Sequence, residues 1–336
     1  MSQFFFNQQE IKAVEVLKKM GKEHALEALK SMLLIRHFET RGEASYRQGF
    51  VGGFYHSYAG QEAIQVAAVQ VFGQKHWYAT TYRCHALALL LGATPNELMA
   101  ELFGRATGNA KGRGGSMHLY AQRLLGGFAI VGGHLPIAAG AAFSSKYLNK
   151  NELSICFLGD GAVAQGSFHE TLNLATLWNL PVIFVIENNQ WGMGTHVNRA
   201  ICTDGIARFQ SPSYGIDGYT IDGMDYFSCY AGFAHVYQQA MAEQRPILVE
   251  CVCQRFRGHS ISDPGLYRTK EALNEILQSD PIPYLAAFLQ QQGGVSEQAY
   301  QDLDKWAREL ILEAVEFAKN SPWPSVATLG EEVYAP

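Results

Sequence analysis

Two short segments of this chain carry residues able to hold a charged ligand. Leu158-Gly159-Asp160-Gly161-Ala162 ends one apolar run, Leu153–Leu158, and Glu187-Asn188-Asn189 follows another, Pro181–Ile186. Both runs read as strands, and the gap between them has the length of a helix. Parallel strands joined by a helix bring their carboxyl ends side by side. One sheet rim then gathers a carboxylate, an amide oxygen and a helix N-terminus, a setting for a divalent cation and a diphosphate. Asp160 offers the hard anionic oxygen that Mg²⁺ prefers, and Asn189 offers a neutral one. Gly159 and Gly161 lack a Cβ, so the turn can tighten and a phosphate can come close. A helix expected over 163–178 adds free N–H groups that favour an anion. Mg²⁺ takes few protein ligands. An Asp, an Asn and a backbone carbonyl leave room for phosphate oxygens and water.

A rival reading uses the same residues. Gly159-x-Gly161-x-x-Ala164 fits a dinucleotide fingerprint, and Glu187 ends the next strand, where a ribose-binding acid belongs. Against it, Asp160 would repel a bare pyrophosphate, and the asparagine pair has no task. A purely structural turn is the third alternative.

Further motifs bear on the choice. Gly159-Asp160-Gly161, the 26 residues 162–187, then Asn188-Asn189, resembles the thiamine diphosphate motif. His56-x-x-x-Gly60-Gln61-Glu62-Ala63, Tyr82-Arg83-Cys84-His85, Gly114-Gly115-Ser116-Met117-His118, Asn188–Gly194 and Arg257–Gly265 complete the set. Together they resemble the α subunit of the E1 component of 2-oxo acid dehydrogenase complexes, over roughly residues 25 to 320, and look most like its pyruvate-acting branch.

The resemblance implies a thiamine-diphosphate-binding α/β fold with helical N- and C-terminal extensions. It puts Tyr82, Arg83, Gly161 and Ala162 at the cofactor's diphosphate. The backbone at Ala129 and Val131 would meet the aminopyrimidine ring. Asp160, Asn189 and the main-chain carbonyl of Trp191 would ligate Mg²⁺. His259, in the loop Arg255–Gly265, is implied as catalytic and next to the cofactor, and its ordinary titration near pH 6.5 suits proton donation. His56 is implied as a second catalytic residue, in the substrate channel. Three positions depart from the family pattern: Trp191 stands where Tyr is common, Ala129 where Gly is frequent, and Val163 where a polar Asn is common.

The family's chemistry also requires a carboxylate against the pyrimidine, which this chain lacks. The implied partner is an E1 β subunit in an α₂β₂ heterotetramer, with segments 49–60 and 104–133 as candidates for the interface. The implied reaction decarboxylates pyruvate and acetylates a lipoyl group on the E2 lipoyl domain. Branched-chain 2-oxo acids and acetoin are the alternatives within the family. A nicotinamide dehydrogenase or a non-catalytic subunit would be a different class.

The elements that must position these residues follow from periodicity. Helices are expected over 8–20, 23–48, 61–72, 85–91, 94–103, 136–148 and 226–243, with Thr94 as N-cap. Strands are expected at 77–80, 220–222 and 246–253 besides the two at the motif. Alternation of strands and helices gives a doubly wound, mostly parallel sheet covered on both faces. The stretch 104–133 is long, glycine-dense and weakly periodic, and reads as a functional loop. The tail, 269–292 and 296–320, reads as helical. The organisation expected is a helical extension over 1–50, the cofactor domain over 51–265 and a helical region over 266–336.

With 48% hydrophobic and 17% charged residues, the 336-residue chain can bury a large core. A net charge of −5 argues against nucleic acid. No apolar run reaches membrane-spanning length. The six cysteines form no C-x-x-C pair, which argues against zinc and fits a reducing compartment, with Cys156, Cys251 and Cys253 in the core. The first residues read neither as a secretory signal nor as an Arg-rich transit peptide. The expectation is a bacterial cytoplasmic protein, or a mitochondrial or plastid one if the chain is a processed form.

Overall fold

The computed structural model describes residues 12–203 and 205–331. The sheet has six strands, all parallel, in the order β2-β1-β3-β4-β8-β7. They are β1 Trp77–Thr81, β2 Leu124–Phe128, β3 Ser154–Gly159, β4 Val182–Asn188, β7 Asp217–Asp222 and β8 Ile247–Val252. A two-residue hairpin, β5 Trp191–Gly192 and β6 Thr195–His196, follows β4. From β1 the chain goes to one side for β2 and to the other for β3. That reversal opens a crevice beyond the carboxyl ends of β1 and β3, where ligands of open α/β sheets bind.

The central strands are buried end to end, which is why they read as unbroken apolar runs. Successive side chains point to opposite faces. Ile155, Phe157, Ile183 and Val185 join one core; Cys156, Leu158, Phe184 and Ile186 join another. The first face is packed by the helices Lys22–Arg47, Glu62–Phe72 and Tyr226–Glu243. Two more helices, Pro281–Gln291 and Glu297–Asn320, pack behind Lys22–Arg47. The second face carries the helices Leu135–Tyr147 and Gly166–Leu177. Their outer sides leave Phe143, Tyr147, Leu177 and Trp178 exposed.

Most expected elements are present within a residue or two. The helix expected over 8–20 is described as Ala13–Met20, its first residues lying outside the described range. Thr94 caps Pro95–Leu102 through a reciprocal pair of hydrogen bonds with Glu97. Three expectations change. The single helix over 163–178 is a 3₁₀ turn, Asp160–Ala164, followed by a helix that starts at Gly166. The tail helix breaks at Asp280, whose side chain caps the helix starting at Pro281. The stretch 104–133 contains the edge strand β2, hidden in sequence by Gly126 and Gly127.

The rest of that stretch is tightly held. The buried Glu101 carboxylate accepts N–H groups from Ala110, Gly112, Gly114 and Gly115 at 2.7–3.1 Å. From outside, residues 321–328 clamp it. Ala106 N–H donates to the Pro322 carbonyl, Thr107 Oγ1 to Ser321 Oγ, and Arg113 to the Thr328 carbonyl.

All six thiols are free; Cys202 is exposed and the other five are buried. Among the described residues, no helix is long and apolar enough to cross a membrane.

Candidate active site

Strands β3 and β4 run in register, with Gly159 opposite Glu187, so the Asp160 turn and the asparagine pair emerge side by side. They open on a cavity of about 980 Å³. Its lining includes His56, Tyr82, Arg83, Ala129, Val131, Asp160, Gly161, Ala162, Asn189, Trp191 and His259. Every site residue expected from sequence therefore lines one cavity, although six separate segments supply them.

Glycine lets these loops meet. A Cβ on Gly161 would sit 3.4 Å from the Gly192 Cα, so the turn after β3 and the hairpin after β4 touch backbone to backbone. A Cβ on Gly159 would meet no protein atom within 4 Å, so the space beside that turn is open.

The electrostatics are unusual for a buried place. Arg83 is almost fully buried, and its guanidinium donates only to main-chain carbonyls, those of Ser57 and His259, each at 2.6 Å. Arg255 is buried too and donates to the carbonyls of Trp191 at 2.8 Å and Met193 at 2.6 Å, and to Tyr267 Oη at 2.5 Å. Neither forms an ion pair among the described residues. Two desolvated cations without a carboxylate partner favour an anion between them. Burial lowers the Arg83 pKa, the direction expected of a cation short of counter-charge.

Asp160 is buried as well. Desolvation raises its carboxyl pKa to about 6, and the nearby Arg255 and Arg83 limit the rise. Asn189 turns its Nδ2 to the buried Gln61, at 3.1 Å from Oε1, which leaves Oδ1 on the side of Arg255. The Trp191 carbonyl already accepts from Arg255, and its second lone pair is free to take another partner. Asp160, Asn189 and Trp191 thus bring oxygens of the hard type to one cavity, a donor set that would suit a cation such as Mg²⁺.

Both implied catalytic histidines face the same space. His56 lies 5.0 Å from His259, ring centre to ring centre, and 4.3 Å from Tyr82. Burial, helped by Arg83 and by His259, pushes the His56 pKa down to about 2. Burial, Arg83 and Arg255 push His259 down to about 4. This corrects the titration near pH 6.5 expected for His259. Both imidazoles are neutral at pH 7, where each offers one N–H donor and one acceptor. The loop of His259 is tied at three points. Its carbonyl takes Arg83, its N–H donates to Asp263 Oδ2 at 2.6 Å, and Tyr267 Oη donates to the same oxygen.

The dinucleotide reading fails on Glu187. Its carboxylate borders the cavity but is only 3% exposed and already accepts from Tyr58 Oη and from Gln65 Nε2, so a ribose would have to displace them. His85 is structural, fixed between Glu39 Oε1 at 2.9 Å and Ser116 Oγ at 2.7 Å. Sequence reasoning missed Arg255 and Gln61. An arginine closing an apolar strand, 66 residues after Asn189, was the one visible sign of the first.

A doubly wound parallel sheet with an Asp-Gly turn, an asparagine pair and buried arginines around one crevice defines an α/β protein with a polar, ligand-sized cavity at the carboxyl ends of its strands. Comparison with known proteins makes this specific. Residues 30–327 match the family described as dehydrogenase E1 component, and the chain belongs to that family. It is 40% identical over 319 residues to the pyruvate dehydrogenase E1 component subunit alpha of Rickettsia bellii, covering 94% of this chain and 97% of the relative. The protein of the same name from Rhizobium meliloti is 37% identical over 320 residues, covering 94% and 92%. The chloroplastic subunit alpha-3 from Oryza sativa is 38% identical over 325 residues, covering 94% of this chain and 76% of the relative.

Proposed function

We propose that this chain is the α subunit of a pyruvate dehydrogenase E1, working with thiamine diphosphate and Mg²⁺ and completed by a β subunit. The observation that carries the reading is the juxtaposition of Asp160 and Asn189 in a cavity flanked by the unpaired guanidinium groups of Arg83 and Arg255. Full-length similarity to named α subunits supports the substrate.

Each residue then has a task. Asp160, Asn189 Oδ1 and the Trp191 carbonyl would hold Mg²⁺. Arg83, Tyr82 and the backbone at Gly161 and Ala162 would bind the diphosphate. The backbone at Ala129 and Val131 would line the ring. When bound, thiamine diphosphate supplies the electron sink that lets the carboxylate of a 2-oxo acid leave as CO₂. His56 and His259, neutral at pH 7, orient the substrate's oxygens and carry a proton between donor and acceptor at a ring nitrogen. A lipoyl disulfide on a carrier protein would serve as the two-electron acceptor: its S–S bond would break, one sulfur taking the two-carbon unit as an acetyl thioester and the other becoming a thiol. A β subunit would cover the exposed apolar side of the helices Leu135–Tyr147 and Gly166–Leu177.

The test is to purify the chain with its E1 β partner and to compare pyruvate, 3-methyl-2-oxobutanoate and acetoin as substrates. Pyruvate is expected to win, and the isolated chain to be inactive. Equal or better turnover of either alternative would reassign the substrate. In the same complex, Arg83→Met is expected to weaken thiamine diphosphate binding by roughly 100-fold, about 3 kcal/mol for a lost charged contact. Calorimetric titration reads it.

A further inference from the structure

Asn189 can present either its oxygen or its NH₂ to the cavity, and only the oxygen can ligate a cation. What decides is behind the residue. Gln61 is fully buried at the start of the helix Glu62–Phe72 and stands 128 positions away in sequence. Its Oε1 accepts from Asn189 Nδ2 at 3.1 Å and from the Cys253 thiol at 3.6 Å. On the other side of Asn189, an Arg255 nitrogen lies 3.5 Å from Oδ1. A guanidinium donor in front and a carbonyl acceptor behind permit one orientation of the amide. Reversing it would set NH₂ against NH₂⁺ and oxygen against oxygen.

Gln61 is itself held to this role. Its N–H donates to the Tyr58 carbonyl, and the adjacent Gly60 has φ +101°, with a Cβ there only 2.6 Å from the Gln254 carbonyl oxygen. The loop is thus pressed onto the exit of β8 as only glycine permits. Gln61 Nε2 has no partner among the described residues. The amide therefore leaves its own donor unsatisfied while its oxygen serves Asn189. The neighbouring Asn188 is handled similarly, its Nδ2 donating to the buried Glu250 at 2.7 Å, but its Oδ1 is used up by Gln190. Only Asn189 is left with an oxygen for a ligand.

We propose that Gln61 is a positioning residue of the metal site, fixing the Asn189 amide with its oxygen toward the cation. The proposal rests on the Mg²⁺ reading given above and deepens it. Groups that orient a ligand from behind typically change metal affinity by 10- to 100-fold. The experiment uses the α–β complex with thiamine diphosphate and Mn²⁺ as probe, free Mn²⁺ being counted by electron paramagnetic resonance. Gln61→Met, which keeps the shape and removes the acceptor, is expected to weaken Mn²⁺ binding about tenfold. Gln61→Glu keeps an acceptor and is expected to restore it. If Gln61→Met does not assemble, Gln61→Asn, which draws the acceptor back, takes its place with the same expectation. Wild-type Mn²⁺ affinity in the acceptor-less variant overturns the proposal, as does an equal loss in Gln61→Met and Gln61→Glu. Asp160→Ala separates the two levels. If that variant keeps full Mn²⁺ affinity, the metal reading itself falls; if it loses Mn²⁺ while Gln61→Met does not, only the role of Gln61 falls.

Discussion

The two faces of the sheet are built differently. One is covered by helices that are themselves covered, and its core takes in Phe157, Phe227 and Phe233 without exposing them. The other carries one layer of helix, and that layer is apolar on its outer side as well as its inner one. Tyr147 is 77% exposed and Leu177 67%. Apolar groups this large, clustered on neighbouring helices, are seldom left to water by a finished surface. The first face is covered within the chain, whereas the second keeps an apolar outer layer that a second subunit could cover.

The comparison can be tested by stability. Phe157→Ala, on the thick face, is expected to cost about 4 kcal/mol in urea unfolding, because a cavity is left among fixed neighbours. A small cost would mean that this face is looser than described.

The second expectation concerns pH and the inner side of the thin face. His134, fully buried at the head of Leu135–Tyr147, donates from Nε2 to the Phe157 carbonyl, and burial pushes its pKa down to about 4. In the unfolded chain it titrates near 6.5. Above pH 6.5 it is neutral in both states and costs nothing. As pH falls below 6.5 the unfolded form takes up a proton that the folded form refuses until about pH 4. Stability therefore falls with acid, by about 2 kcal/mol at pH 5 for this one group. His134→Gln, which can keep the donor, should flatten the pH dependence by that amount, and an unchanged slope would contradict the assignment.

A smaller effect is expected from Thr94→Ala. Removing the reciprocal cap of Pro95–Leu102 should cost about 1 kcal/mol by thermal melting. The smallest effect on folding belongs to the thin face. Trp178→Ser should leave the stability of the isolated chain within about 0.5 kcal/mol. The same change should weaken assembly with the β subunit, measured by analytical ultracentrifugation. If instead it unfolds the chain and spares assembly, the contrast between the faces is lost.

The sequence made the site legible wherever chemistry was local. Apolar runs ending in Gly159-Asp160-Gly161 and Asn188-Asn189 announced two strand ends, and parallel pairing did the rest. Hidden were the terms carried by distance along the chain. Gln61 and Arg255 act on Asn189 from 128 and 66 positions away, and although one stands in a quoted motif and the other opens the His259 loop, neither context says that they meet Asn189. β2 was missed because Gly126-Gly127 lowers strand propensity, and pairing with β1 overrode it. The titration of His259 was misjudged because residue type alone carries no information about burial or neighbouring cations. The uncovered face was equally invisible, since nothing local to Phe143 and Trp178 says whether such large apolar side chains are buried or exposed.

The clamp of residues 321–328 on the glycine-rich segment has a practical reach. Arg105 stacks on Trp323 at 3.7 Å, and Arg113 grips the Thr328 carbonyl, 215 positions along the chain. Shortening the polypeptide at Asn320, to tidy it for crystals or to append a purification tag there, would let go of a loop that leads directly to Met117 on the cavity wall. A cut at that point is therefore also a change to the cavity wall.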